Sequence, residues 1–109
     1  MPKTQQTAEN GAIRRKAHKV SPQIKSANLA RLRRVEGQIR GIHRMVEEDR
    51  YCADVLGQLL AVHEALRAVG RQLIRNHLQH CATRAIRSGG ADAEAMYDEL
   101  VDLFHKNSR

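Results

Sequence analysis

The sequence has few aromatic residues and few cysteines. Its 109 residues include no Trp, one Phe, two Tyr and two Cys. With so few rings available, aliphatic side chains must fill the core, which suits contacts between helices. A chain of this length forms one domain with a modest core, and association with further copies would help to complete it.

Long apolar runs are also missing. No stretch is long enough to span a membrane, and no apolar segment of a signal peptide is present. We therefore expect a cytoplasmic protein without a membrane partner, whose thiols stay reduced. The sequence also lacks a Gly-rich phosphate loop, a paired CxxC and a nucleophile elbow, so no enzyme is predicted.

Acidic residues are absent from the first predicted helix until its middle. Ser21 and Pro22 are an N-cap and a first helical residue, and the helix is expected to run to about Glu48. The whole chain carries 19 Lys and Arg against 12 Asp and Glu, a net charge of +7. A solvated helix normally mixes charges of both signs, so the basic side chains predict contacts with the phosphates of double-stranded DNA. The predicted DNA-binding residues are Lys25, Arg31, Arg33, Arg34, Arg40 and Arg44.

Two more helices follow, which makes the predicted fold all-α with three helices per chain. The central helix is expected from about Cys52 to Arg87, where a Ser-Gly-Gly sequence ends it. Asp92 is then the predicted N-cap of a third helix from Ala93 to His105. Residues 1–20 have no periodicity and are interpreted as a flexible basic arm, and residues 21–109 as the helical domain.

Both cysteines lie on the predicted central helix. His77 and Cys81 are four residues apart, so they share a face and can hold a soft or borderline metal ion. Cys52 lies 25 residues before His77, about 37 Å along a continuous helix. Either the helix breaks near Gly57 or Gly70, or Cys52 meets the pair of a second, antiparallel copy. We favour two symmetric sites, each with Cys52 from one chain and His77 and Cys81 from the other.

The segment LARLRRVEGQIRGI (residues 29–42), together with the spacing of Cys52, His77 and Cys81, resembles the CsoR/RcnR family of bacterial repressors. These proteins sense metals or reactive small molecules. The resemblance implies an antiparallel four-helix bundle dimer, paired into a homotetramer as a dimer of dimers. It also implies that the apo form binds operator DNA and that effector binding releases it.

Within the family, the Cys-His-Cys pattern is similar to that of the copper(I) sensors. Two thiolates and an imidazole form a soft ligand set that suits Cu(I). Nickel sensors of the family carry a further histidine near the N-terminus, at a position that falls on Val20 here. His18 lies two residues earlier and could serve instead, so a Ni(II)-responsive repressor is the alternative. A cytosolic copper buffer would explain the ligands but not the basic helix.

The resemblance also implies groups that surround the ligands. Tyr51 matches a tyrosine that copper sensors of the family use beside the first cysteine. Their ligand histidine is hydrogen-bonded by a glutamate of the third helix, and such outer groups fix the orientation of the ring. Asp98 and Glu99 are the two candidates in this sequence.

Overall fold

The computed structural model describes residues 15–107, and their regular secondary structure is entirely helical, as predicted. The elements are α1 (Pro22–Glu47), α2 (Cys52–Asn76), a π-helical segment (His77–Ala82), α3 (Thr83–Ser88) and α4 (Gly90–Asn107). The junctions keep right-handed helical dihedral angles, so α2, the π segment and α3 form one continuous rod, here called the central rod (residues 52–88). Residues 1–14 of the predicted arm and residues 108–109 lie outside the described range.

Helix α1 begins as the sequence predicts. The Ser21 hydroxyl accepts a hydrogen bond from the Ile24 amide at 3.4 Å, and proline follows at the first helical position. Its end is a Schellman motif in which Asp49 takes the left-handed conformation with a φ of 54°. The Arg50 amide donates to the Met45 carbonyl at 2.9 Å and so satisfies one of the last carbonyls of the helix.

The central rod passes through both internal glycines without a break. It ends at Ser88, after which Gly89 and Gly90 adopt φ values of 76° and 56° that favour glycine. The predicted start of the last helix is wrong, because α4 begins at Gly90 instead of Ala93. Asp92 is therefore not the N-cap; it lies in the first turn, where its carboxylate accepts a 2.9 Å hydrogen bond from the Ser88 hydroxyl.

The core is small and aliphatic. Helix α1 packs against α2, to which a four-residue connection joins it, and α4 packs against α3. The chain is elongated, with extents of 57 × 32 × 27 Å. None of the helices in the described range has the length and apolarity required to cross a membrane. The buried apolar residues are Val35, Val62, Val69, Ala82, Ala93 and Met96.

Much of the apolar surface of α1 and α2 is exposed in the single chain. Leu56 and Leu60 are 63% and 64% exposed, and Val46 at the end of α1 is 60% exposed. Leucines in such numbers are normally buried on one helix face against another element. Such an exposed apolar surface is expected of a protein whose core is completed by self-association.

Candidate metal centre and basic surface

His77 and Cys81 both lie in the π segment. In a π-helix the hydrogen bonds reach from residue i to i+5, so the turn is wider than in an α-helix, and such segments are frequent at functional sites. Four residues fall just short of one such turn, so the two side chains stay on the same side of the rod. The Leu78 carbonyl accepts from the Thr83 amide and, at 2.8 Å, from the Thr83 hydroxyl as well. Both side chains of the pair are partly exposed.

Glu99 of α4 contacts His77. Its Oε2 atom lies 2.7 Å from His77 Nε2, although off the line of an Nε2–H bond, so the contact is close without being an aligned hydrogen bond. The other oxygen of the carboxylate lies 3.6 Å from the Arg15 guanidinium. Asp98, the other candidate, is exposed and forms no ion pair within residues 15–107. Of the two acids, only Glu99 is positioned to hold the imidazole.

The described part of the arm, residues 15–20, lies against the π segment. The His18 amide donates to Cys81 Sγ at 3.4 Å, so it is the backbone of His18 that reaches the thiol. Both ring nitrogens of His18 lie 3.0–3.2 Å from Arg84 Nη1. An atom this close to both nitrogens lies over one face of the imidazole and not in the plane of the ring, where a metal would bind.

Asn76 joins the arm to the rod by two hydrogen bonds, a role that the sequence pattern did not indicate. Asn76 is buried, with a relative exposure of 4%. The amide nitrogen donates to the Lys19 carbonyl at 2.8 Å, and the amide oxygen accepts from the Ser21 amide at 3.0 Å. The feature of the sequence that could have indicated this role is a polar residue directly before His77, on the side of the helix that is expected to be buried. The side chain of Asn76, which directly precedes a predicted metal ligand, thus contacts the residues at the start of α1.

Cys52 and Tyr51 lie at the opposite end of the central rod. Both are exposed, Tyr51 at 74%, and both cysteines are free thiols. The rod is unbroken, so Cys52 is about 37 Å from His77 along its axis. Accordingly, residues 15–107 of one chain contain no cluster of three His, Cys, Asp or Glu side chains able to hold a metal ion. The chain brings Glu99 onto His77, four residues before Cys81, and leaves Tyr51 and Cys52 at the far end of the rod.

The predicted DNA-binding residues are distributed unevenly around α1. At about 100° per residue, Arg33, Arg40 and Arg44 fall within about 40° of one another, whereas Arg31 and Arg34 point elsewhere. Arg31 is half-buried, with one guanidinium nitrogen that is shielded and without a hydrogen-bond partner in the chain. The others, Lys25 among them, are exposed, and none of the six is ion-paired within residues 15–107.

Comparison with known proteins gives consistent matches over most of the chain. The family described as metal-sensitive transcriptional repressor matches residues 24–106. The copper-sensing transcriptional repressor CsoR of Bacillus subtilis is 44% identical over 98 residues, which are 90% of this chain and 91% of that protein. The copper-sensing transcriptional repressor RicR of Mycobacterium tuberculosis is 58% identical over 69 residues, covering 63% of this chain and 72% of its own.

A solved structure is similar as well. It is the crystal structure of the copper-sensing repressor CsoR with Cu(I) from Geobacillus thermodenitrificans. The two folds superimpose with a TM-score of 0.74 at 40% sequence identity, over 84% of this chain and 93% of that one. The similarity therefore extends to the tertiary arrangement of the helices.

Proposed function

This chain belongs to the family of metal-sensitive transcriptional repressors, and we propose that it is a repressor that releases operator DNA when it binds Cu(I) through Cys52, His77 and Cys81. The copper-sensing relatives and the Cu(I)-containing structural neighbour support the choice of effector. The observation that carries the proposal is the placement of His77 and Cys81 on one side of the π segment, with Glu99 2.7 Å from the His77 ring.

The donor set fits Cu(I). Thiolate sulfur and imidazole nitrogen are ligands that this soft cation prefers, and it accepts low coordination numbers. Glu99 can hold the Nε2 edge of His77, which leaves Nδ1 as the nitrogen available for a metal. Cys81 is a free, partly exposed thiol one turn further along the rod.

The third ligand comes from a second chain. The unbroken central rod keeps Cys52 too far from its own His77, and both ends of the rod are accessible. An antiparallel partner would place its Cys52 beside His77 and Cys81 and repeat the site by symmetry. The exposed leucines of α1 and α2 are the surface that such a dimer would bury.

Repression follows from the basic face of α1. Arg33, Arg40 and Arg44 are exposed on one side of the helix without carboxylate partners in the described chain, so they are free to contact phosphates. Ligation between subunits changes how two rods pack and therefore the spacing of these cations. A hundredfold loss of DNA affinity requires only about 2.8 kcal/mol of coupling between the two sites.

The test combines metal binding with DNA release. A duplex is first selected by the apo protein from a random library, and its affinity is followed by fluorescence anisotropy during an anaerobic Cu(I) titration against a competing chelator. We expect one tightly bound Cu(I) per subunit and release of the duplex at that ratio. Cys52→Ala should bind the duplex as the wild type does but should not respond to copper. Release of the duplex from this variant by Cu(I) would disprove the ligand set.

Ni(II) is the second candidate, and one contact favours it. The His18 amide lies 3.4 Å from Cys81 Sγ, so a rotation of the His18 ring away from Arg84 could add an imidazole to the site. A parallel Ni(II) titration of wild type and His18→Ala separates the two effectors. Tight Ni(II) binding that weakens in this variant, with release of the duplex, would assign nickel instead of copper.

A further inference from the structure

A basic cavity lies between the arm and the end of the central rod. Its volume is about 300 Å³, and its walls include His18 and Lys19 from the arm and His80, Arg84 and Arg87 from the rod. Three permanent cations and two imidazoles therefore surround one concave space, and none of the lining residues is acidic. A set of this kind attracts an anion.

The cations of this cavity lack carboxylate partners. Within residues 15–107, no Asp or Glu forms an ion pair with Lys19, Arg84 or Arg87. The nearest acid in the adjoining groove is Asp92, whose carboxylate already accepts a hydrogen bond from Ser88. Arg84 contacts only the ring nitrogens of His18, a neutral partner unless the ring is protonated. Like charges held close together without a counterion repel each other, so the arrangement favours a bound anion.

We propose that this cavity holds a backbone phosphate of operator DNA, a contact separate from the basic face of α1. The proposal rests on the repressor function proposed above. A phosphate group fits the volume, the open side admits a polymer, and two arginines offer the forked donors that match phosphate oxygens. Thr83 does not contribute a donor, because its hydroxyl is already committed to the Leu78 carbonyl.

The phosphate subsite shares its arm wall with the candidate metal centre. The His18 amide donates to Cys81 Sγ, and the Lys19 carbonyl accepts from Asn76, the neighbour of His77. A change in the position or the bonding of the Cys81 sulfur therefore acts directly on the residue that forms one wall of the cavity. Binding of DNA at this subsite and binding of metal at Cys81 should each affect the other to the same extent.

Arg87→Gln tests the subsite, since Arg87 lines the cavity but takes part in none of the hydrogen bonds that join the arm to the rod. The affinity for the selected duplex is measured between about 50 and 200 mM salt. We expect binding at least about tenfold weaker, with a salt slope smaller by about 0.9 for each subunit whose cavity holds a phosphate. Arg87→Lys, which keeps the charge, should retain most of the slope.

The matched control is Lys106→Gln, which removes one positive charge from α4 in a place already paired with Asp102 at 2.9 Å. It should leave the slope unchanged. Equal slopes for Arg87→Gln, Lys106→Gln and wild type would overturn the phosphate subsite. Unchanged Cu(I) affinity of Arg87→Gln verifies that the variant is folded and that its metal centre is intact.

Two further outcomes are informative. One distinguishes free phosphate from DNA as the source of the anion, and the other distinguishes failure of this inference from failure of the proposed function. Inorganic phosphate is titrated into the apo protein while the imidazole resonances of His18 and His80 are followed by NMR. If phosphate shifts these resonances in wild type but not in Arg87→Gln, and the slopes stay equal, the cavity binds a small anion and the DNA assignment is wrong. A wild type that binds DNA and releases it with Cu(I), together with unaltered slopes, would refute this inference alone; no binding of DNA by wild type would refute the proposed function.

Discussion

His77 Nε2 and Glu99 Oε2 lie 2.7 Å apart, and this contact joins the central rod to α4 beside the candidate metal centre. The carboxylate is itself held by Arg15 of the arm, at 3.6 Å from its other oxygen. The arm, the central rod and α4 thus meet at one carboxylate. Because the carboxylate lies against the Nε2 edge of the ring, we expect it to restrict the orientation of the ring toward Cys81.

Glu99→Gln should weaken Cu(I) binding by about 10- to 100-fold without removing a ligand, since it takes away the charged group that orients the ring. The measurement is the competition titration with a Cu(I) chelator. Asp98→Asn is the matched control, because it removes the same charge from the next residue, which is exposed and without an ion pair in the described chain. Equal effects of the two substitutions would mean that only the net charge of α4 matters.

Mixing two inactive variants should restore copper sites if the ligands come from different subunits. Cys52→Ala and Cys81→Ala each lack one ligand in every site of their homodimers. In a mixed dimer one site takes Cys52 from the second variant and His77 and Cys81 from the first, so it is complete. After the subunits have been unfolded and refolded together, about a quarter of all sites should bind Cu(I) tightly. No recovery, while each variant still dimerises, would contradict the intersubunit arrangement.

Asn76→Ala should destabilise the protein by about 1–3 kcal/mol, because it removes two part-buried hydrogen bonds, one to the Lys19 carbonyl and one from the Ser21 amide. Urea denaturation gives the free energy, and hydrogen exchange of the Ser21 amide gives the local effect. Asn76→Asp keeps the acceptor and should protect this amide, although the hydrogen bond to Lys19 is lost. If the Ser21 amide exchanges at the wild-type rate in Asn76→Ala, the arm is held by something else.

Thr83→Val should cost about 0.5–1.5 kcal/mol, because the Leu78 carbonyl loses the hydrogen bond from the hydroxyl and keeps only that from the Thr83 amide. The spacing of His77 and Cys81 should then change, with a weaker affinity for Cu(I). Thr83→Ser keeps the hydroxyl and serves as the control. A Thr83→Val variant as stable as wild type would show that the hydroxyl does not stabilise the π segment.

The first residues of the helices show what can be predicted from the local sequence. Ser21 and Pro22 fixed the start of α1, because the capping hydroxyl and the restricted proline φ act within a few residues. The start of α4 was predicted three residues too late. Its position depends on two successive glycines with positive φ, and Asp92 could be recognised as a potential cap but not as the acceptor for Ser88.

The candidate site, like the helices, could be predicted from the sequence only in part. Sequence alone supplied the candidate soft ligands and their spacing, and the length of an unbroken helix led to the prediction that Cys52 meets His77 and Cys81 of another chain. It left Asp98 and Glu99 as equal candidates, although they are adjacent in the chain and differ only in the side of α4 on which they lie. Only the packing of α4 against the central rod places Glu99 on His77.

The arm was the least predictable part. Residues 15–20 have no periodicity, so no local pattern indicates where they lie. Their position depends on contacts between residues more than 50 positions apart, from Asn76 to Lys19 and from His18 to Cys81. The sequence by itself thus determined the helices, and it supplied the candidate ligands and the hypothesis of a second chain, because these depend on short-range periodicity and on helix length. The tertiary structure decided which acid faces the imidazole and where the basic arm is attached, because those depend on long-range packing.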